Sequence, residues 1–401
     1  MEHNPQWTAT TDPRVKANGH KRAHRGEHAG AAPEPTTYYN RPMIKKPTWR
    51  WYIPLYFFLG GLASGVSFIG ALAEFFGGRE HRSTVRHARY LSVVLAALCP
   101  IPLIADLGRP TRFHHMFRVF KVSSPLSVGT WILTGFGLLS GAQAARQAAE
   151  DDFVLRRESA LGRLARALPS GPITALHGLF GMGLGGYTGV LLAANAVPLW
   201  QAGGKLLGPL FLAASATSGA ATLNLTGVAT GTQTRRTREE IQMVANVGTV
   251  TQIGLAVAHE MLVPRKINEP LRQGVWGRLF RGGTIGLGLL APIGVRFLAW
   301  ASGRNLEPAV STVAATLTLT GTLIERFALV EAGKISTEDP LAYQELSRGE
   351  PGEARPTPEQ QAKMAPRHAW EHPFQRGQVV PEHADETPAY RAGMRSDTAS
   401  S

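Results

Sequence analysis

The sequence contains eight long stretches with almost no Asp, Glu, Lys or Arg, and these stretches constrain the fold more than any other feature. An α-helix needs about 20 apolar residues to cross about 30 Å of hydrocarbon. The pattern therefore predicts an all-α polytopic membrane helix bundle with eight transmembrane helices, since several such stretches are rare in soluble helical cores. They run from Ile53 to Ala73, Tyr90 to Ala105, Ser123 to Ala145, Ser170 to Gly204, Leu206 to Thr234, Ile241 to Glu260, Gly282 to Trp300 and Pro308 to Ile324.

Small residues are concentrated inside these stretches. GMGLGG at residues 181–186 and ASATSGAATLNLTG at residues 214–227 are typical of them. So much glycine destabilises a soluble helix, but between membrane helices small residues let the backbones approach closely. The 44 glycines of the chain are therefore explained by helix packing in a membrane.

The two ends of the chain are polar and differ in charge. Residues 1–50 carry 9 basic and 4 acidic side chains, whereas residues 332–401 carry 8 and 11. The sequence predicts a disordered basic tail over 1–50, a transmembrane domain over 51–331 and a disordered acidic tail over 332–401. The basic residues of the middle region border the apolar stretches, so the net charge of +13 indicates membrane loops in contact with lipid and not a nucleic-acid-binding surface.

Redox centres bound by this chain itself are not expected. The single cysteine, Cys99, excludes a cysteine-ligated iron-sulfur cluster and a disulfide scaffold within the chain. A haem with two histidine ligands needs both at one depth, but His177 and His259 fall near opposite ends of the predicted bundle. We therefore expect neither haem nor an iron-sulfur cluster here, and any such centre must belong to a partner.

Ionisable residues within or beside membrane spans are functional candidates, because burying them is costly. An even number of spans places both termini at one end of the bundle, which we call end A, opposite end B. End B is predicted to hold Glu74, His177 and Arg296. Tyr187 is predicted near the middle of the fourth span. End A is predicted to hold a denser group, Tyr56, Asp106, Arg109, Arg112, His114, His115, His259, Glu260, Glu325 and Arg326.

The end-A group has the chemistry of a quinone pocket. Quinone oxygens need a hydrogen-bond donor and a proton acceptor in an apolar slot, and Asp106 with a neighbouring Tyr or His supplies both. Several of these residues also fit simpler roles. Arg109 is equally well explained as an interfacial anchor, His114 as a solvated loop residue, and Glu325 and Arg326 as a pair at the membrane edge. At end B, Arg296 is also explained by snorkelling and His177 by a hydrogen bond to a neighbouring helix.

Several motifs resemble those of one known membrane family. WYIPLYFFLGGLASG begins at Trp51, DLGRPTRFHHMF begins at Asp106, and SPLSVGTW begins at Ser124. YTGVLL and a later PLW follow from Tyr187 to Trp200. In this order the motifs resemble the polysulfide reductase membrane subunit family, NrfD/PsrC, and the predicted span count matches the family's shorter branch.

The resemblance implies a multi-pass subunit of the plasma or inner cell membrane that exchanges electrons between menaquinone or ubiquinone and a ferredoxin-like iron-sulfur subunit. That partner in turn serves a molybdopterin oxidoreductase catalytic subunit. By the resemblance, Asp106 and Tyr187 match the family's quinone site, which we expect to include Tyr56, Arg109 and His114. The start of the first span departs from the family, with Ile53 and Tyr56 where Asn or His can occur. The candidates for proton transfer are Glu74, His177, Glu260 and Arg296.

Two other classes of function fit parts of the pattern. Glycine-rich spans with buried charges also occur in secondary transporters, but spans 1–4 and 5–8 show no internal repeat. A purely structural membrane anchor needs no quinone at all. Bound quinone in the purified protein would distinguish the respiratory subunit from both.

Overall fold

The computed structural model describes residues 44–303 and 308–348. All regular structure in these ranges is helical, as the sequence predicts. The chain divides into a first unit, Met1–Tyr343, and a second unit, Gln344–Ser401, of which only the first few residues are described. Most of the two predicted tails, residues 1–43 and 349–401, lies outside the described residues.

The long helices follow the uncharged stretches closely. They are α1 (Tyr52–Phe76), α2 (Arg82–Leu98) continued by α3 (Pro100–Asp106), α4 (Pro125–Glu150), α6 (Ser170–Ala193), α8 (Gly204–Ala229), α9 (Arg235–Leu262), α12 (Ala291–Ala301) and α13 (Pro308–Ser336). A π-helical segment, Leu279–Leu290, leads into α12. The short helices are α5 (Ala160–Ala167), α7 (Pro198–Ala202), α10 (Glu269–Arg272), α11 (Gly274–Arg278) and α14 (Pro340–Arg348), with 3₁₀ turns at Arg79–His81 and Pro110–Phe117.

Seven helical segments in the described ranges are long and apolar enough to cross a membrane. Two of them are composite, Arg79–Asp106 and Gly274–Ala301. The third predicted span is present as α4, 26 residues long, but α4 is not among the seven because its Gly, Ser, Thr and Gln residues lower its mean hydropathy. A membrane helix bundle with seven candidate spans is thus established, and the eighth span stays a prediction.

The predicted boundary at residue 331 does not coincide with a helix end. α13 continues to Ser336, and α14 follows from Pro340. Lys334 is buried and forms an ion pair with Glu331 at 2.5 Å. The first residues assigned to the acidic tail are therefore helical.

α1 is the central helix of the bundle and packs against α2, α3, α6, α8 and α13. It approaches α8 most closely at Gly65, where an added Cβ would lie 2.8 Å from the Cα of Gly219. Phe57 on the same helix is fully buried and meets the ring of Phe211 edge to face at 6.0 Å. Small residues thus set the spacing of the helices, and aromatic rings fill the space between them.

Contacts connect the residues before α1 with those after α13 and with α7. Lys46, before α1, contacts Glu338, after α13, at 2.5 Å. Trp49 stacks on Trp200 of α7 with ring centroids 5.2 Å apart. These contacts place the residues before α1 and after α13 at one end of the bundle, end A.

Candidate functional site

A cavity of about 370 Å³ opens between α1, α3, α4 and α6. Its wall is almost entirely apolar, and the hydroxyls of Thr130 and Thr134 are used in hydrogen bonds to carbonyls of their own helix. Two tyrosines, Tyr56 and Tyr187, supply the other hydroxyls. The wall comprises Tyr56, Ala96, Pro100, Leu103, Ile104, Leu107, Phe113, Met116, Phe117, Leu126, Gly129, Thr130, Leu133, Thr134, Gly137, Leu138, Tyr187 and Leu191.

Tyr187 is held in place by α4. Its hydroxyl donates a hydrogen bond to the carbonyl oxygen of Pro125 at 2.6 Å. Its ring lies directly over Gly129, where any Cβ would overlap the ring atoms. Gly129 therefore creates the space in which the Tyr187 ring lies, and the phenol oxygen keeps its lone pairs for a further hydrogen bond.

Tyr56 lies one turn into α1 and is 2% exposed. Its ring packs against Phe57 with centroids 5.7 Å apart. The Tyr56 hydroxyl forms no hydrogen bond with the part of the chain that the structure describes. Because Tyr56 lines the cavity, this hydroxyl is available to a bound molecule.

The other predicted quinone-binding residues lie outside this wall. Asp106 ends α3, is half-buried and accepts a hydrogen bond from the Arg50 backbone N–H at 3.5 Å. Arg109 and His114 are exposed on the loop that follows. The structure therefore brings Tyr56 and Tyr187 to one cavity and places Asp106, Arg109 and His114 near its end-A side without direct contact.

Three residues of the 3₁₀ turn complete the wall and were not identified from the sequence. They are Phe113, Met116 and Phe117, which flank the two histidines of the RFHHMF segment and are themselves 37% to 42% exposed. The spacing of these apolar residues, three and four positions apart, was the feature of the sequence that could have identified them. That spacing places them on one face of a helical turn.

A polar cluster at end B brings together two of the predicted proton-transfer residues. Glu74 accepts hydrogen bonds from Arg89 Nη2 at 2.9 Å and from Thr174 Oγ1 at 2.8 Å. Arg89 Nη1 also donates to Gln147 at 2.9 Å. A solvent-open cavity of about 790 Å³, lined by Glu74, Arg89 and other polar residues, lies on the outer side of this cluster.

His177 continues the cluster towards the centre of the bundle. It is 4% exposed, lies 2.9 Å from Ser140 Oγ and stacks on Phe136 at 5.1 Å between centroids. It lines a small space together with Glu74 and Arg89, and these two residues also line the outer cavity. Arg89, which is not among the residues predicted from the sequence, holds the cluster together.

Glu260 and Arg296 do not join this cluster. Glu260 lies at end A, half exposed, and pairs with Arg272 at 2.6 Å. Arg296 lies on α12 and has no ion-pair partner in residues 44–303 and 308–348. The four predicted proton-transfer residues thus occupy three separate places.

Glu325 and Arg326 are buried and do not pair with each other. Their exposures are 1% and 0%. Glu325 accepts a hydrogen bond from Gln252 Nε2 at 3.1 Å. Arg326 donates to the carbonyl of Phe211 at 3.2 Å and lies 3.6 Å above the centroid of its ring. The alternative of a pair at the membrane edge is therefore wrong.

Comparisons with known proteins show which family the chain resembles. The model of the family described as "Polysulphide reductase, NrfD" matches residues 40–338. Protein NrfD of Escherichia coli (strain K12) is 26% identical over 312 residues, which cover 72% of this chain and 95% of that protein. The range matched by the family model includes the cavity, the end-B cluster and the buried α13 residues.

Proposed function

The chain belongs to the polysulphide reductase NrfD family, and from this premise we propose that it is the quinone-reactive, eight-span anchor of a respiratory oxidoreductase complex in the plasma membrane. One observation carries the proposal. The largely apolar cavity of about 370 Å³ presents the hydroxyls of Tyr56 and Tyr187 and no charged group on its wall.

The cavity fits the ring of a menaquinone or ubiquinone. Binding sites for small molecules are mostly apolar, measure about 300–1,000 Å³ and contain a few placed polar groups. The Tyr56 O–H can donate to a ring oxygen of a quinone, and the Tyr187 oxygen, whose proton is donated to Pro125, can accept from the O–H of a quinol. When bound, a quinol supplies two electrons and two protons.

Different residues of the chain are proposed to orient the quinone ring and to transfer protons at end A and at end B. Tyr56 and Tyr187 orient the ring through their hydroxyls, and the apolar wall excludes water from it. Asp106, beside the cavity at end A, is the proposed proton acceptor there, with Arg109 and His114 adding positive charge and hydrogen-bond donors. Glu74 and His177 are the residues proposed to transfer protons from end B. Glu260 and Arg296 are the other two proposed proton-transfer residues.

End A is the proposed docking face for partners. The segment from Arg109 to Lys121 is exposed throughout and carries basic and aromatic side chains beside the cavity. A ferredoxin-like iron-sulfur subunit docked here would lie close to Tyr56, as electron transfer requires. A molybdopterin oxidoreductase subunit bound to that partner would complete the complex.

The test is to fill the cavity. Leu133→Trp places an indole in the cavity wall, whereas Leu298→Trp places the same group on a lipid-facing part of α12 where the side chain is 67% exposed. We expect the purified Leu133→Trp protein to lose quinone, measured by solvent extraction and by titration with a short-chain quinone, and the Leu298→Trp protein to retain it. Retention of quinone by both variants would refute the site. Absence of quinone from the unaltered chain would favour a structural anchor, and ion flux through proteoliposomes without partners would favour a transporter.

A further inference from the structure

Glu325 is a buried carboxyl group to which the proposed function gives no role. It lies on α13, 11 residues before the end-A terminus of the helix at Ser336, which is about 16 Å along the axis. Its side chain is in the bundle core, and no salt bridge to it occurs in the described parts of the chain. A carboxylate fixed for structural reasons is usually paired with a cation, because an unpaired buried charge is costly.

The hydrogen-bond partners of Glu325 are neutral. Gln252 Nε2 donates to Glu325 Oε2 at 3.1 Å, and Gln252 Oε1 accepts from Thr217 Oγ1 at 3.4 Å. Gln252 and Thr217 are each 1% exposed. A neutral amide and hydroxyl can reorient to serve either a carboxylate or a carboxylic acid, so this chain of three residues tolerates both forms of Glu325.

Arg326 is a buried cation with unused donors. Its Nε and Nη1 have no hydrogen-bond partner, although the residue is fully buried. The guanidinium lies beside α1, as a Cβ added to Gly61 of that helix shows: it would be 3.6 Å from Arg326 Nη2. The same Cβ would be 3.2 Å from Ser215 Oγ, so Ser215 and Arg326 lie at the same glycine. Its positive charge offsets the charge of an ionised neighbour, so ionising Glu325 costs less in this core.

A line of small polar side chains leads from the end-B cluster towards Arg326. Ser67 lines the same small space as His177 and donates to the carbonyl of Ser64 at 2.8 Å. Ser64 Oγ is buried and has no hydrogen-bond partner. An added Cβ on Gly185 would meet both Ser64 Oγ and Ser215 Oγ, the latter at 3.0 Å, so these two hydroxyls lie against the same glycine.

We propose that Glu325 is a proton-transfer group in the middle of the bundle, served by Gln252 and Thr217 and electrostatically supported by Arg326. The proposal rests on the proposed quinone function. In quinol oxidation two electrons pass to the iron-sulfur partner and two protons are released. Glu325 Oε1, the oxygen not used by Gln252, takes one of these protons as an O–H bond and then gives it to water, and Asp106 at end A takes the other proton. Quinone reduction runs the same proton step in reverse.

The test uses the complex purified with its partners and reconstituted in liposomes, with Glu325→Gln, Glu325→Asp and the control Glu331→Gln. Glu331 lies on the same helix and pairs with Lys334. We expect Glu325→Gln to slow quinol-dependent electron transfer about a hundredfold, as for loss of a general acid–base group. The affinity for a short-chain quinone should not change. Glu325→Asp should restore much of the rate, and Glu331→Gln should behave as the unaltered complex.

A second measurement needs no variant. Dicyclohexylcarbodiimide reacts with protonated carboxyl groups in apolar surroundings, so peptide mapping of the treated unaltered protein should find the label on Glu325 and not on Glu331. Unchanged turnover in Glu325→Gln, loss of quinone affinity in that variant, or absence of label from Glu325 would each overturn the inference. Absence of quinone binding by the unaltered complex would instead refute the proposed function, and the inference with it.

Discussion

Gly65→Ala should destabilise the bundle more than any other addition of one methyl group to α1. The new Cβ would overlap the carbonyl oxygen of Ser215 and lie 2.8 Å from the Cα of Gly219, whereas ordinary contacts begin at 3.4 Å. These obstacles are backbone atoms and cannot rotate away. Relieving the Gly219 contact alone requires α1 and α8 to separate by about 0.6 Å, and a gap of that size forfeits about a quarter of the local dispersion energy.

We expect this change to cost about 2 to 3 kcal/mol, in the range for overpacked cores. Gly254→Ala is the matched control, because nothing lies within 4 Å of its Cβ position on the exposed face of α9. That change should be neutral or stabilise by about 0.5 kcal/mol, since alanine is the better helix former. The assay is unfolding by sodium dodecyl sulfate in mixed micelles, followed by tryptophan fluorescence. Equal free energies of unfolding for the two variants would refute the close-packing argument.

Three further predictions concern the cavity and the two ends. Arg89→Met should lower the free energy of unfolding by about 3 kcal/mol in the same assay, because it leaves Glu74 without its buried cation; adding Glu74→Gln should recover part of that loss, and no recovery would contradict the pairing. Gly129→Ala should displace the ring of Tyr187 and weaken binding of a short-chain quinone about tenfold, with little effect on unfolding. Trp200→Phe removes the indole hydrogen bond to α13 and should cost about 1 kcal/mol, measured as a shift in the unfolding midpoint.

The membrane bundle could be predicted from the sequence because the absence of charge over about 20 residues is a direct consequence of crossing hydrocarbon. Helix limits near charged residues were less predictable. Arg89 comes directly before the second uncharged stretch, so the sequence places it at the edge of that span. In the structure α2 begins earlier, at Arg82, and the Arg89 side chain is buried. A buried arginine is tolerated there because Glu74 and Gln147 satisfy it, and such partners are not visible in a pattern of hydropathy.

The cavity was only partly predictable for a related reason. The position of a residue along a span gives its depth, but the direction of its side chain depends on the rotation of the helix and on its neighbours. The sequence predicts Tyr56 near end A and Tyr187 near mid-span, and both line the cavity. Asp106 has the expected depth, yet it faces the Arg50 backbone, since α3 ends there and the chain turns away. Its direct contact with quinone stays a prediction.

The central position of α1 has a consequence for motion. α1 belongs to the first half of the chain, but it packs on α8 and α13 of the second half, and at Gly65 the contact is between backbones. Large rearrangements in membrane proteins generally need an interface along which two groups of helices slide or rock. Among the described helices, α1 lies where such an interface would be, between helices of the first half and helices of the second half of the chain. The proton transfer proposed above would then depend on shifts of side chains, while the helices stay in place.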